Sequence, residues 1–374
     1  MWRRARGPLA GAVALAACLA ALAALSGGSD GGTENASRPH RAFLGLVAED
    51  AFGKPGTYRR ENLDRLRSIG AGLMRQTFDW THIERTPGRY DLSFYDGYVE
   101  ALARRRLRVL PILFNAPSFR SSAPPNSRRG TYPPSRPAEM GDFGAVLARR
   151  YGPGGTFWRQ HPDLPQLPVR SWQVWNEPNL PVYWPSGPDA AEYVALLRAT
   201  GRGIRRVDPG AEIVTAGLPD SRLGVPLRDY VAAMYAAGGA GAFDALAVNP
   251  YGLDAQGVLE TVRAVRGVAC ENGDNPAVWV TELGWATGGP PSDFKVGEPR
   301  QAELLEETVL ALARRRDGLR IRGVVYFNWR DSTPYAGGRD FFGLHTGLLR
   351  LDGQAKPALS AYKKVAKRLG LLPD

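Results

Sequence analysis

Eight short apolar runs are the feature of this 374-residue sequence that most restricts its fold. They are dense in Val, Leu and Ile and do not alternate apolar with polar residues, which is typical of parallel strands buried on both faces. In chain order they are FLGLV (43–47), LMRQTFD (73–79), RVLPILF (108–114), SWQVWN (171–176), EIVTAG (212–217), FDALAVN (243–249), AVWVTEL (277–283) and RGVVYFN (322–328). These runs predict the strands of one buried parallel sheet.

The longer segments between the runs have the period of amphipathic helices. Leu305, Val309 and Leu312, for example, fall on one helical stripe. Strand–helix units repeated eight times predict an α/β fold, a (β/α)8 TIM barrel that forms a single domain over residues 42–374. A doubly wound open sheet is the alternative, but no G-x-G-x-x-G follows the first run, so the barrel is favoured.

The first 41 residues differ in composition from the rest of the chain. A basic head, MWRRARG, precedes an uncharged run over residues 8–25, so residues 1–25 are predicted to be a signal peptide or a membrane anchor. Whether this segment is cleaved, lipidated at Cys18 or retained stays open. Residues 26–41 are small and polar and predict a flexible linker. We therefore expect a protein that is secreted or anchored on the outer side of the cytoplasmic membrane.

The formal charge of +11 raises the question of an anionic partner. The basic residues are spread along the chain without a zinc-finger spacing or an aromatic RNA-binding motif, so nucleic acid is not expected. Basic clusters recur at the predicted carboxyl ends of helices, where cations stabilise the helix dipole. In a barrel these ends gather on the bottom face, and an anionic membrane surface is a second hypothesis for them. The clusters are Arg104-Arg105-Arg106, Arg149-Arg150, Arg205-Arg206, Arg314-Arg315-Arg316 and Lys367-Arg368.

Two glutamates end aromatic runs. WQVWNEPN places Glu177 at the carboxyl tip of the fourth run, and VWVTELGW places Glu282 near the end of the seventh. Catalytic residues of barrels come from these strand ends. Glycoside hydrolysis needs two carboxyl groups, one to protonate the leaving oxygen and one to attack or to activate water. Either glutamate alone is as well explained by a strand exit, a cap or a salt bridge, but the two together favour a carboxylate pair.

These two motifs resemble those of the retaining glycosidases of clan A, especially families 39 and 5, and the resemblance extends over nearly all of residues 43–369. It implies that Glu177, after Asn176, is the acid/base and Glu282 the nucleophile of a double displacement on an oligo- or polysaccharide. It also implies that Asn176 bonds the sugar 2-hydroxyl. Arg75 matches the arginine near the nucleophile, and Tyr251 of Asn249-Pro250-Tyr251 matches a tyrosine or histidine of the clan.

Three further residues are candidates for sugar binding. Trp329 in FNWRD matches the sugar-stacking tryptophan of the clan, and an ordinary core position is the alternative for it. For Arg75 the alternative is an ion pair on the rim of the barrel. Trp184 belongs to a set of aromatic residues in loops after the strands, where rings suit stacking on sugars. Asn115 opens a long Pro- and Arg-rich loop, 115–137, that we interpret as a wall of the cleft.

Other chemistries have no motif in the chain. The four histidines include no H-x-x-x-H, and neither G-x-S-x-G nor a P-loop is present, so we expect neither a metal nor an organic cofactor. Two alternatives to a hydrolase remain, a catalytically inactive carbohydrate-binding barrel and a transglycosidase. The identity of the sugar, its linkage and the choice between exo and endo action stay open.

Overall fold

The structure is a computed structural model that describes residues 39–127, 131–334 and 338–373. The predicted signal peptide or anchor and all but the last residues of the predicted linker lie outside this part of the chain. Within the described ranges no helix combines the length and apolarity that crossing a membrane requires.

Eight parallel strands close into a barrel in sequence order, which confirms the predicted (β/α)8 fold. The strands are Leu44–Leu46 (β1), Leu73–Asp79 (β2), Arg108–Phe114 (β3), Ser171–Val174 (β4), Glu212–Pro219 (β5), Ala245–Asn249 (β6), Ala277–Val280 (β7) and Ile321–Tyr326 (β8). Each falls within or beside one of the eight apolar runs. β1 pairs with both β2 and β8, so the sheet has no edge.

Helices surround the barrel and follow the strands. They are Glu49–Gly53 (α1), Thr57–Ser68 (α2), Trp80–Ile83 (α3), Ser93–Ala103 (α4), Pro137–Tyr151 (α5), Thr156–Gln160 (α6), Ala190–Arg205 (α7), Leu227–Ala236 (α8), Ala255–Glu271 (α9), Glu298–Arg314 (α10), Arg316–Leu319 (α11) and Pro357–Arg368 (α12), with a 3-10 turn at Phe342–His345. Their apolar faces and the outer faces of the strands form the larger core. A smaller inner core fills the barrel and includes Val47, Leu73, Val214, Trp279 and Val325.

The inner core explains why polar side chains gather at one end of the barrel. Side chains of a strand alternate between its two faces, so Arg75, two residues after Leu73, also faces inward. Asn249, two residues after Ala247 of the inner core, does the same on β6. Apolar layers therefore close the barrel below, and polar residues form the layer at the carboxyl ends of the strands.

The basic clusters lie at the carboxyl ends of helices, as predicted, but most of their charges have acidic partners. Within the part of the chain that the structure describes, seven of the twelve residues form ion pairs. The pairs are Arg104–Glu100, Arg105–Asp64, Arg150–Asp96, Arg205–Asp244, Arg206–Asp142, Arg316–Asp317 and Arg368–Glu306. These clusters alone therefore provide a weaker positive surface than the sequence indicated.

Candidate active site

Glu177 lies just beyond the carboxyl end of β4, in a backbone that changes direction sharply. Trp175 has a φ of 71° and Glu177 a φ of 41°, in the left-handed region that residues other than glycine seldom adopt. The indole of Trp175 donates a hydrogen bond to the carbonyl oxygen of Tyr183 at 2.9 Å, and this bond holds the turn against the loop that follows it. Such backbone strain persists where the surrounding structure holds it, and it is common at functional sites.

Glu282 lies beyond β7 and has both carboxylate oxygens occupied. Arg75 Nη1 donates to Oε1 at 2.7 Å, and the hydroxyl of Tyr251 donates to Oε2 at 2.8 Å. Glu282 is 9% exposed and Arg75 3%, so the ion pair is shielded from solvent. A guanidinium and a hydroxyl donor together stabilise the negative charge of the carboxylate.

The remaining nitrogens of Arg75 bind two residues of the β4 segment. Arg75 Nε donates to Gln173 Oε1 at 2.7 Å, and Nη2 donates to Asn176 Oδ1 at 3.0 Å. Gln173 is in turn fixed by a bond from its amide nitrogen to the carbonyl oxygen of Thr215 at 3.0 Å. Because the guanidinium is planar and rigid, these three directions set the position of Glu282 relative to β4.

Glu177 is bound by an amide rather than by a cation. Asn249 Nδ2 donates to Glu177 Oε1 at 2.7 Å, and Thr281 Oγ1 donates to Asn249 Oδ1 at 2.8 Å, so the amide is held in one orientation. A Cβ on Gly217 would lie 2.3 Å from Asn249 Oδ1 and 2.5 Å from Thr281 Oγ1. Glycine at position 217 therefore leaves the space in which this pair fits.

The environment of Glu177 favours its neutral form. Burial and the negative charge of Glu282 raise the pKa of Glu177 to about 8, against the opposing effects of the Asn249 hydrogen bond and the positive charge of Arg75. Burial and the charges of Glu282 and Glu177 also raise the pKa of Tyr251 well above its usual value, so its hydroxyl stays a donor. The site therefore combines a carboxyl group whose raised pKa favours the neutral form with one that is bound by a guanidinium and a hydroxyl, the arrangement that acid and nucleophile roles require.

Asn176 uses one side of its amide to bind Arg75. Its Oδ1 accepts the bond from Arg75, which leaves the Nδ2 group as the donor that a ligand could use. Asn115 follows β3 and donates to Asp79 Oδ2 at 2.8 Å. Both side chains are half-buried on the rim, and their roles in sugar binding stay predictions.

Two of the predicted aromatic contacts are wrong. Trp329 is fully buried in the outer core, where its indole donates to Asn62 Oδ1 at 2.9 Å. Trp184 is 1% exposed and packs against Trp175 and Tyr193. Both rings bury a large apolar area and satisfy their N–H groups inside the protein, which leaves no face for a sugar.

Phe327 is the aromatic residue of the β8 segment that faces the barrel mouth. It is half-buried and packs against the inner core from above, directly after the last residue of β8. Alternation places its ring on the opposite side of the backbone from the buried Tyr326. Phe327, rather than Trp329, therefore offers a ring at the mouth.

Sequence reasoning also missed Gln173, Asn249 and Thr281. Each is a fully buried polar residue on or directly beyond a strand of apolar residues, and buried polar groups require partners. Gln173 within SWQV and Asn249 at the end of ALAVN could have been found by this signal, since neither suits an apolar core.

Known structures share this fold at low sequence identity. No family model and no curated protein sequence matches the chain. A family 39 glycoside hydrolase from Bacteroides cellulosilyticus is similar over 89% of this chain, with a TM-score of 0.63 and 19% identity, and the chain spans 64% of its length. A family 39 β-xylosidase from Caulobacter crescentus is similar over 89% of this chain, with a TM-score of 0.63 and 20% identity, and the match covers 73% of the xylosidase. An exo-β-1,4-mannosidase from an Opitutaceae bacterium is similar over 90% of this chain, with a TM-score of 0.61 and 18% identity, and the match covers 62% of the mannosidase. The predicted resemblance to clan A is confirmed at the level of the fold.

The raised pKa of Glu177 predicts how stability depends on pH. Between about pH 4.5 and about pH 8 the folded carboxyl group keeps its proton while the unfolded one releases it, so stability falls as pH rises through this window. Glu177→Gln, which is neutral at every pH, should therefore raise the melting temperature at pH 8.5 more than at pH 5.

The measurement is thermal unfolding of both proteins at the two pH values. Glu61→Gln, on the exposed surface of α2, is the control and should change the melting temperature equally at both. A Glu177→Gln difference that is the same at pH 5 and pH 8.5 would contradict a protonated Glu177.

Proposed function

We propose that the protein is a retaining glycoside hydrolase that cleaves O-glycosidic bonds of an oligo- or polysaccharide by double displacement. The observation that carries the proposal is the pairing of unlike carboxyl groups at one barrel mouth. Glu282 is bound by Arg75 and Tyr251, and burial together with the charge of Glu282 raises the pKa of Glu177 to about 8. A glycosidase needs this division between nucleophile and acid.

In the first step the Glu282 carboxylate attacks the anomeric carbon. The bond from that carbon to the leaving oxygen breaks, and the proton of Glu177 passes to the oxygen, so the leaving sugar departs as a neutral alcohol. A glycosyl ester on Glu282 remains. The Nδ2 group of Asn176 donates to the sugar 2-hydroxyl, a contact that strengthens as positive charge develops on the ring.

The effect of the Glu282 charge on the pKa of Glu177 also changes the role of Glu177 in the second step. Once Glu282 is esterified its negative charge is gone, and one of the two effects that raise the pKa of Glu177 disappears with it. The Asn249 hydrogen bond and the charge of Arg75 then favour ionised Glu177. Ionised Glu177 takes a proton from water, whose oxygen attacks the anomeric carbon from the face that the leaving group vacated. Glu282 is released and the configuration is retained.

The similar structures support the reaction class and leave the sugar open. Those compared above are glycosidases, one a β-xylosidase and one an exo-β-1,4-mannosidase, so they differ in sugar. We therefore propose a carbohydrate substrate without choosing among pentose and hexose units.

Replacing each glutamate separates the two roles. Glu282→Ala should lower kcat by at least about 10⁴-fold on every substrate, and azide should restore turnover with inverted product because a small anion can enter the vacated space. Glu177→Ala should spare aryl glycosides whose leaving groups need no proton and reduce turnover of poor leaving groups by about 10²–10⁴-fold. Steady-state kinetics on a leaving-group series and NMR of the product anomer measure both.

Three outcomes would redirect the proposal. Equal losses on every substrate in both variants would remove the role assignment. Sugar binding without turnover by the unaltered protein would identify an inactive carbohydrate-binding barrel. Transfer to an acceptor sugar in preference to water would identify a transglycosidase.

We also propose that the protein acts outside the cytoplasm, secreted or anchored, with an anionic membrane surface as a partner of the bottom face. The basic head and apolar run of residues 1–25 support the location. The described chain starts on this face at residue 39, beside a depression of about 520 Å³. Its lining includes Arg41, Arg108, Arg170 and Arg322 together with Glu212.

Vesicle binding of the full chain tests the membrane proposal. We expect tighter binding to vesicles with phosphatidylglycerol than to phosphatidylcholine vesicles, weakening as salt rises from about 0.05 M to about 0.5 M. Arg108→Gln combined with Arg322→Gln should reduce the anionic preference several-fold. Arg89→Gln in the loop that follows β2, on the opposite face, is the control. Equal binding to both vesicle types would contradict the proposal.

A further inference from the structure

Glu49 is a carboxylate at the barrel mouth that the proposed mechanism does not use. It follows β1 by three residues and begins α1. The preceding Val47 faces the inner core, and its backbone is bonded to the β8 segment on both sides, by Val47 N to Tyr326 O at 3.2 Å and Trp329 N to Val47 O at 2.9 Å. These bonds place Glu49 at the carboxyl end of the barrel, on the same rim as Arg75.

The surroundings of Glu49 are those of a group in an open cleft. Its side chain is exposed to solvent, yet it is enclosed by enough protein that burial raises its pKa. The charges of Arg75 and Glu282 also act on it, the first lowering and the second raising the pKa. Glu49 therefore lies within electrostatic reach of the Arg75–Glu282 pair, and water or a ligand can touch it.

The neighbouring acid has a different role. Asp50 accepts a hydrogen bond from the hydroxyl of Tyr58 at 2.6 Å and pairs with Arg330 Nε at 3.1 Å. For Glu49 no hydrogen bond and no ion pair is found among residues 39–127, 131–334 and 338–373. Asp50 thus attaches α1 to the scaffold, and the Glu49 carboxylate is available to a ligand.

Three cations on the strands or in the segments that follow them are bound to carboxylates other than Glu49. Arg75 is bound to Glu282 at 2.7 Å, Arg330 is bound to Asp50, and Arg120, from the loop after β3, is bound to Glu84 at 2.6 Å. Burial and the charge of Glu282 raise the pKa of Glu177, so its neutral form is favoured near neutral pH. The charges of Arg75 and Glu282 therefore cancel, and the ionised form of Glu49 gives its side of the cleft a negative potential although the whole chain carries +11.

Barrel geometry indicates which edge of the sugar faces Glu49. In a closed barrel of eight strands β1 lies across the mouth from β5, and β4 lies beside β5. A pyranose ring with its 2-hydroxyl at Asn176, beyond β4, has the atom opposite C2 on the far side, towards β1. That atom is C5, whose substituent is hydrogen in a pentose, CH₂OH in a hexose and a carboxylate in a uronic acid.

We propose that Glu49 is a specificity-determining residue that contacts the C5 side of the bound sugar and selects against uronic acids. It accepts hydrogen bonds from hydroxyl groups of a neutral sugar, and it repels a carboxylate placed on C5. The substrate class is therefore neutral pentosides or hexosides. The inference rests on the proposed glycosidase function and names the sugars that its site takes.

The experiment compares aryl xyloside, glucoside and glucuronide, of the anomer that the enzyme hydrolyses, in kcat/KM. The unaltered protein should prefer glucoside to glucuronide at least about 100-fold, and Glu49→Gln should narrow this ratio at least about tenfold. Most of the change should come from faster glucuronide hydrolysis, and raised salt should narrow the ratio for the unaltered protein. Glu61→Gln removes a charge far from the cleft and should leave the ratio unchanged.

A binding measurement separates this inference from the proposed function. Glu177→Gln keeps a neutral side chain of the same size and lacks the acid that a poor leaving group needs. Dissociation constants for methyl glucoside and methyl glucuronide, whose leaving group needs a proton, can therefore be measured in that background, with and without the additional Glu49→Gln substitution. A selectivity for glucoside that depends on Glu49, without hydrolysis by the unaltered protein, would contradict the glycosidase and support the inference. A preference for glucuronide, or a ratio that Glu49→Gln does not change in either assay, would overturn the inference.

Discussion

Arg75 forms an ion pair with Glu282 on the floor of the barrel mouth, and the rest of the site depends on that pair. A buried guanidinium is stable only with partners for its donors, and here they are a carboxylate of the β7 segment and two amides of the β4 segment. Breaking such a pair by removing one partner typically costs about 3–5 kcal/mol. The pair therefore joins β2, β4 and β7 at one point, and it aligns the two strand ends that carry the glutamates.

The same pair determines the protonation of Glu177. Because Arg75 and Tyr251 hold a negative charge on Glu282, that charge can raise the pKa of a second carboxyl group in a partly dry pocket. Asn249 moderates the effect, since its hydrogen bond favours the ionised form that the second step needs. In the mechanism that we propose, the acid role of Glu177, the nucleophile role of Glu282 and the change of role in the second step all depend on this one charge.

Sequence reasoning found the parts of the site that a strand pattern encodes. Runs of Val, Leu and Ile located all eight strands. Glu177 and Glu282 were predicted because an ionisable residue at the tip of a buried strand is unusual, and their catalytic roles stay predictions. Trp329 and Trp184 were misassigned because sequence position shows that a ring is near the rim and not which side of the backbone it is on. The ring that faces the mouth is Phe327, and Trp329 packs against α2 instead. Glu49 was not predicted, because the role that we propose for it depends on how other charges pair in space, which the sequence does not show.

The most direct test of the account is to trap the glycosyl-enzyme. A fluorosugar with an activated leaving group slows both steps but the second step more, so the intermediate accumulates, and mass spectrometry of a protease digest locates the modified residue. Because Arg75 and Tyr251 bind the two oxygens of Glu282, the proposed nucleophile, we expect one sugar per chain, on the peptide that contains Glu282, and none in Glu282→Ala. A sugar attached to Glu177, or turnover with inversion and no adduct at all, would contradict it.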